Sequence, residues 1–155
     1  MNLVRFSLTV AATALVGTMA IVAQGPPPQP AATGITTSRT WTDGDYDKLM
    51  KEVGATIGVL RKAIEAQNAD LAKQNAEKME SLFEEVDDFW NARNVDDAQD
   101  WADDAAEHAD HVEDAADDKD FVKATEHMKL LQAQCATCHA KYRDKAPDGG
   151  FRIKP

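Results

Sequence analysis

The sequence predicts an all-α protein, folded as an antiparallel up-down-up-down four-helix bundle. From Trp41 onward, apolar residues recur at spacings of three and four, which is the period of an amphipathic helix. Four such segments follow one another through short connections, so sequential helices should run antiparallel. Few β-branched residues occur in the body, which disfavours an all-β fold. At 155 residues the chain has room for one domain.

The first 23 residues differ in composition from the rest. One cation, Arg5, precedes an apolar run that ends near Ala23, and this is the anatomy of a cleaved secretory signal. A retained membrane anchor is the alternative, but the run is short for a membrane span and is interrupted by polar residues. We therefore expect an exported protein with a signal peptide at 1–23, a Pro/Thr-rich spacer at 24–40 and the bundle with a short C-terminal tail at 41–155.

The first helix should begin near Asp43, and the second should follow the turn and cap residues Asn68 and Asp70. The apolar stripe of the first consists of Tyr46, Leu49, Met50, Val53, Ile57, Leu60 and Ile64. That of the second consists of Leu71, Ala72, Met79, Leu82, Phe83, Val86, Phe89 and Trp90.

The third and fourth helices have thinner stripes. The third stripe is mostly small residues: Ala98, Trp101, Ala105, His108, Val112 and Ala115 or Ala116. The fourth begins near Lys119 and carries Phe121, Val122, Ala124, Met128, Leu131, Cys135, Cys138 and Tyr142. We expect Pro147, Gly149 and Gly150 to end it. Met79 and Met128 are interpreted as core residues.

The charge of the chain is strongly polarised. A net charge of −10 excludes a nucleic-acid-binding role, because phosphate binding needs a surplus of Lys and Arg. Between Asp87 and Asp120 there are 14 acidic residues against Arg93 and Lys119, whereas residues 140–155 carry a local charge of +3. Such a dipole can orient a protein toward its partner.

Besides His139, three histidines lie on the third and fourth helices. His108 and His111 stand among Glu107, Asp110 and Asp114, a group that could hold a divalent metal. We interpret the group as a solvated helix face that carries histidines, because the sequence does not show a well-placed ligand set. His127 is interpreted in the same way.

The most informative motif is the Cys-Ala-Thr-Cys-His run at residues 135–139. C-x-x-C-H is the attachment pattern of c-type haem. On a helix, residues three apart share a face, so the thiols of Cys135 and Cys138 can reach the two vinyl groups of one porphyrin. The adjacent His139 can then ligate the iron from the proximal side. We predict one covalently attached haem c.

The two cysteines have three other interpretations. A thioredoxin-like site needs a strand-helix context, and the sequence has no strand pattern. A zinc site needs further ligands, and no second C-x-x-C or C-x-x-H pair is present. A disulfide between residues three apart on a helix would be strained. Haem attachment fits the motif and its context better than these.

With this motif near the end of its fourth helix, continued as CHAKYR, the chain resembles the class II c-type cytochromes, the cytochrome c-prime family, over about residues 41–145. The run LMKEVG at 49–54 is similar to the segment from which the low-spin, six-coordinate members offer a methionine to iron. Trp101 stands where the family commonly carries tryptophan, and Arg143 matches an arginine on the proximal side. Tyr46 replaces the family's arginine one turn before the distal position.

The resemblance implies a haem at one end of the bundle, with His139 and Met50 as axial ligands and Arg143 near a propionate. A His/Met iron suits electron transfer. We therefore expect a periplasmic electron carrier that binds redox partner proteins, and not an enzyme. Family members often pair through their first two helices, which leaves a homodimer open. If Met50 does not bind, the resemblance implies a five-coordinate protein that binds nitric oxide or carbon monoxide.

A third interpretation is an acidic helical metal-binding or interaction module whose cysteines are incidental.

For the haem interpretation, stripe position predicts the apolar contacts of the ring. These are Val53, Ile57, Leu131 and either Phe83 or Trp90.

Overall fold

The computed structural model describes residues 40–147 and 150–154. The elements follow in the order α1 Asp43–Glu65, α2 Ala69–Asn91, α3 Asp96–Asp117, α4 Phe121–Tyr142, β1 Arg143–Lys145 and β2 Phe151–Ile153. The predicted signal peptide at 1–23 and residues 24–39 of the predicted spacer lie outside the described residues. Within the described part, no helix combines the length and apolar character that a membrane span requires.

The predicted four-helix bundle is confirmed. α1 packs on α2, α2 on α3, α3 on α4, and α4 also contacts α1. The helices are joined by connections of three or four residues, which are short enough to make sequential neighbours antiparallel. The α1–α4 contact is the least extensive of these.

Side-chain caps fix three of the four helix starts. Thr42 and Asp45 form a reciprocal capping box at α1, in which each side chain accepts a hydrogen bond from the other residue's backbone N–H. Asn68 accepts from the backbone N–H of Leu71 at 3.1 Å, which confirms its predicted capping role. Asp120 caps α4 in the same manner.

The three inter-helix connections share one turn geometry. Gln67, Asn94 and Lys119 each adopt a positive φ, between 53° and 57°, directly after a helix. After α1, the N–H of Gln67 donates to the carbonyl of Ile64 and that of Asn68 donates to the carbonyl of Ala63. This is the Schellman pattern, and the same pair of bonds recurs after α2 and α3. Three non-glycine residues therefore hold the left-handed conformation that glycine adopts without strain.

The core forms two clusters, one at each end of the bundle. The α3 face is almost entirely alanine, which lets α3 approach α2 and α4 closely. Its fully or nearly fully buried members are Ala98, Ala102, Ala105, Ala109, Val112, Ala115 and Ala116. The prediction is wrong for two stripe residues: Val122 is 82% exposed and Leu71 is 37% exposed. Each lies in the first turn of its helix, where no neighbouring helix covers it.

The predicted end of α4 is also wrong. The helix ends at Tyr142, and Arg143 adopts extended backbone (φ −99°, ψ 131°). The reason is that the tail folds back: β1 pairs antiparallel with β2, and the N–H of Lys154 donates to the carbonyl of Tyr142 at 2.8 Å. β2 also contacts α1, so this hairpin connects the first and last helices.

Candidate functional site

A cavity of about 590 Å³ lies at the hairpin end of the bundle, within the usual size range of small-molecule sites. All four helices and both strands contribute to its mostly apolar wall. All five predicted site residues line it: Met50 comes from α1, Cys135, Cys138 and His139 from α4, and Arg143 from β1. The structure therefore brings together residues that lie at opposite ends of the described sequence.

The two cysteines share one face of α4 because they are three residues apart on a helix. Both are free thiols and both are partly buried. Burial raises the pKa of Cys135 to about 11 and the pKa of Cys138 to about 11, so both sulfurs carry their protons at neutral pH. Neutral, shielded thiols are poor metal ligands and slow to oxidise. If each sulfur formed a thioether, neither cysteine would remain a thiol.

His139 is the third group at this face. Its pKa is lowered by partial burial and by the neighbouring Arg143 guanidinium, so the imidazole is neutral at pH 7. The Nη1 of Arg143 lies 3.4 Å from His139 Nδ1. Because a guanidinium can only donate, Nδ1 is the acceptor in this contact. Arg143 is itself held by Phe151, whose ring centre lies 3.3 Å from the guanidinium carbon.

The opposite wall of the cavity comes from α1. Met50 is partly buried and lines the cavity, as do Val53 and Gly54 one turn further on. A Cβ placed on Gly54 would meet no heavy atom within 4 Å. The surface of α1 at Gly54, one turn after Met50, is therefore open.

An aromatic cluster closes the inner end of the cavity. Tyr46 stacks on Phe89 with ring centroids 3.9 Å apart. Trp90 Nε1 donates to the Tyr46 hydroxyl at 3.1 Å, and Trp90 also contacts Tyr142, at 4.8 Å between centroids. Burial raises the pKa of Tyr46, so its hydroxyl stays neutral. Trp101 contacts Tyr142 from α3 and completes the wall.

Asp97 anchors this wall to the start of α3. The Tyr142 hydroxyl donates to Asp97 Oδ1 at 2.7 Å, and Lys141 pairs with Asp97 Oδ2. Hydrogen bonds from Lys141 and then from Tyr142 hold the pKa of the Asp97 carboxyl below its usual value. Both partners directly follow the C-x-x-C-H motif, so Asp97 fixes the end of α4 against α3.

Most of the predicted ring contacts lie at this cavity. Val53, Ile57, Phe83 and Trp90 all line it. Leu131 does not: it is fully buried in the core one turn before Cys135. Several other residues line the cavity although the sequence did not indicate them as ring contacts. They are Val86, Ala98, Ala102, Tyr142, Phe151 and Ile153.

The lining suits a large, flat, mostly apolar cofactor with a metal at its centre. Two thiols on one helix face provide attachment, and a neutral imidazole beside them provides a metal ligand. The thioether of Met50 faces the same space from another helix. Residues 135–139, Met50 and the aromatic wall therefore fit the group that the motif predicts, an iron porphyrin.

The second group of interest is the set of three histidines. The acidic residues beside them, Glu107, Asp110 and Asp114, are exposed, as expected for a solvated face, whereas His108, His111 and His127 are each partly buried. The ring of His127 on α4 lies 4.7 Å from that of His111 and 5.7 Å from that of His108. Burial, and then the other two rings, lower the pKa of His127. The sequence missed this cluster because it forms only when α3 and α4 pack together.

No known protein family, no curated protein and no solved structure matches this chain. The resemblance to class II c-type cytochromes therefore rests on the sequence motifs alone.

Proposed function

We propose that this chain is an exported, periplasmic c-type cytochrome that carries one covalent haem and transfers electrons between partner proteins. The observation that carries the proposal is the meeting of two thiols, one neutral imidazole and one methionine thioether at a single cavity of about 590 Å³. The thiols and the imidazole come from α4 and the thioether from α1, so the two axial ligands would lie on different helices.

In this proposal Cys135 and Cys138 attach the cofactor. Each thiol would add across one vinyl double bond, with the sulfur on one carbon and the thiol hydrogen on the other. Such an addition would be redox-neutral and would need no external oxidant. The two resulting thioethers would keep a small cofactor from diffusing away in an exported protein.

His139 and Met50 would hold the iron. The haem supplies reversible one-electron exchange at its iron when it is bound. His139 supports that role because its imidazole is neutral and sits beside both attachment sites. Binding through Nε2 requires the proton to reside on Nδ1, so the Arg143 guanidinium must then leave Nδ1 and become free to pair with a propionate.

The walls around the ligands would exclude water from the iron. Phe83, Val86 and Trp90 supply apolar contacts from α2, and Ala98 and Ala102 supply small ones from α3. A low-polarity site of this kind favours a raised reduction potential and little structural change on electron transfer. These properties suit a carrier and not an enzyme with its own substrate.

The redox partner is proposed to present an acidic patch to the haem end. The C-terminal tail supports this with its local charge of +3. This charge is partly neutralised from outside the tail, because Lys141 pairs with Asp97 on α3. Electron-transfer rates with the partner should therefore fall only modestly as ionic strength rises. Rates that increase with salt would contradict an acidic partner.

The second candidate function is gas binding at an open iron position. The open surface at Gly54, one turn after Met50 and in the cavity lining, is the observation that favours it. Carbon monoxide distinguishes the two functions. For a His/Met carrier, the absorption spectrum of the ferrous protein should stay unchanged when the gas is added. A prompt shift of the Soret band at stoichiometric gas would overturn the carrier and favour the gas-binding protein.

A further inference from the structure

The three histidines between α3 and α4 form an inter-helix cluster. His108 and His111 lie one turn apart on α3, with ring centroids 6.5 Å apart. His127 on α4 contacts both rings, at 5.7 and 4.7 Å. Every pair among the three is thus within ring-contact range, although the third member lies on a different helix.

The polar atoms of this cluster are poorly satisfied within the described part of the chain. His108 Nδ1 and His127 Nδ1 are buried and make no hydrogen bond there. A buried nitrogen without a hydrogen-bond partner is unfavourable. A bound cation would give these nitrogens a partner, since neutral imidazole nitrogen is a preferred ligand of zinc, copper and nickel.

The ring centroids are spaced much as those of ligating rings would be. Within the described part of the chain, the ligand nitrogens of the three histidines do not all lie within 4.8 Å of one another, so binding requires side-chain rotation. Metal–nitrogen bonds of about 2.0–2.1 Å in tetrahedral geometry place the centroids of two ligating rings about 5 Å apart. The two distances from His127 bracket this value. The third distance, between His108 and His111, is longer, and a side-chain rotation at one residue would shorten it.

Carboxylates beside His111 could supply a fourth ligand. Glu107 Oε1 lies 3.6 Å from His111 Nε2. Asp110 and Asp114 each bring a carboxylate oxygen within 4.8 Å of a His111 nitrogen. A mixed set of three imidazoles and one carboxylate is well suited to Zn²⁺.

We propose that His108, His111 and His127 bind one divalent transition-metal ion, with Zn²⁺ as the probe ion, at a site separate from the C-x-x-C-H cavity. His127 and His139 lie on the same helix, about 18 Å apart along its axis at 1.5 Å per residue. Neither His108, His111 nor His127 lines that cavity. The site depends on no feature of the proposed electron carrier.

The test is a Zn²⁺ titration of the full chain, purified without a histidine tag, against a chromophoric chelator. A Cys135→Ser/Cys138→Ser variant is titrated in parallel, so that zinc held by the histidines is measured with no thiol present. We expect one equivalent of tightly bound Zn²⁺ in both proteins. His127→Ala should weaken binding by more than about tenfold, because loss of a direct ligand costs at least as much as loss of an outer partner.

Two matched variants separate the histidine site from general surface charge and from the neighbouring carboxylates. Asp103→Asn removes one exposed α3 charge away from the histidines and should leave zinc affinity unchanged. Glu80→Gln tests a competing all-carboxylate group, Glu80 with Asp110 and Glu113. Loss of binding in Glu80→Gln with full binding in His127→Ala would overturn the proposal. An absence of stoichiometric binding in both parent proteins would overturn it as well.

Discussion

The indole nitrogen of Trp90 donates a hydrogen bond of 3.1 Å to the hydroxyl of Tyr46. This bond connects α2 to α1 inside the core, and Tyr46 is further held by its stack on Phe89. Tyr46 stands where the cytochrome resemblance would place an arginine. Its neutral, buried hydroxyl is committed to the protein interior, so an anion-binding role at this end of the proposed site falls to Arg143.

Met50→Ala tests the proposed distal ligand. The ferric parent protein should show a six-coordinate low-spin spectrum, and the variant should become high-spin because alanine has no ligand atom. Absorption spectroscopy at neutral pH measures the change. Met79→Leu is the control, because Met79 is fully buried in the core and a volume-conserving change there should leave the spectrum unaltered. A low-spin spectrum that survives Met50→Ala would remove Met50 from the site.

Gly54→Leu tests whether the open surface at Gly54 is needed. Gly54 lines the cavity, and Gly58, one turn later, does not. An added Cβ meets no heavy atom within 4 Å at either position. Both Gly54→Leu and Gly58→Leu should strengthen α1 by about 1 kcal/mol through helix propensity. Only Gly54→Leu should lower haem incorporation severalfold, measured as Soret absorbance per mole of protein. Equal incorporation in the two variants would contradict a distal pocket at Gly54.

Lys119→Gly tests the strain in the α3–α4 connection. Lys119 has a φ of 57°, which a side chain disfavours and glycine adopts freely. The variant should raise the free energy of unfolding by about 0.5–1 kcal/mol. The gain from removing backbone strain is partly offset because glycine increases the conformational entropy of the unfolded chain. Lys129→Gly, in the middle of α4, should lower it by about 1 kcal/mol. Urea unfolding followed by circular dichroism measures both. Destabilisation by Lys119→Gly would rule out the strain.

Asp97→Asn tests the carboxylate that fixes the end of α4. Lys141 and Tyr142 hold the pKa of Asp97 below its ordinary value of 3.8. A depressed pKa means that the carboxylate stabilises the fold above pH 3.8 and that this contribution is lost as pH falls through the folded-state value. The variant should therefore melt at a lower temperature than the parent at pH 7, with the gap closing below pH 3.8. A gap that persists unchanged at pH 3 would refute the ion pair's role. Asp100→Asn, an exposed acid on the same helix, is the control.

Much of the fold was predictable because helical periodicity is a local signal. Asp43 begins α1 as expected, Asn68 caps α2, and the α3 stripe is buried along most of its length. The cysteine motif likewise marked the face of α4 that lines the cavity. Each of these features depends on residues within a few positions of one another.

The features that could not be predicted depend on distant partners. Arg143 leaves the helix because it pairs with Ile153 of β2, ten residues further along the chain. His127 joins His108 and His111 only through α3–α4 packing. Val122 fits the helical period yet lies in solvent, because periodicity does not show where a neighbouring helix ends.

The central claim is covalent haem attachment at Cys135 and Cys138, and the most direct measurement is the intact mass of the denatured protein after expression with c-type maturation. The mass should exceed that of the processed polypeptide by one haem, with a haem stain that persists on a denaturing gel. A Cys135→Ser/Cys138→Ser variant should have the mass of the polypeptide alone. A parent protein that emerges colourless, with both thiols unmodified, would contradict the account.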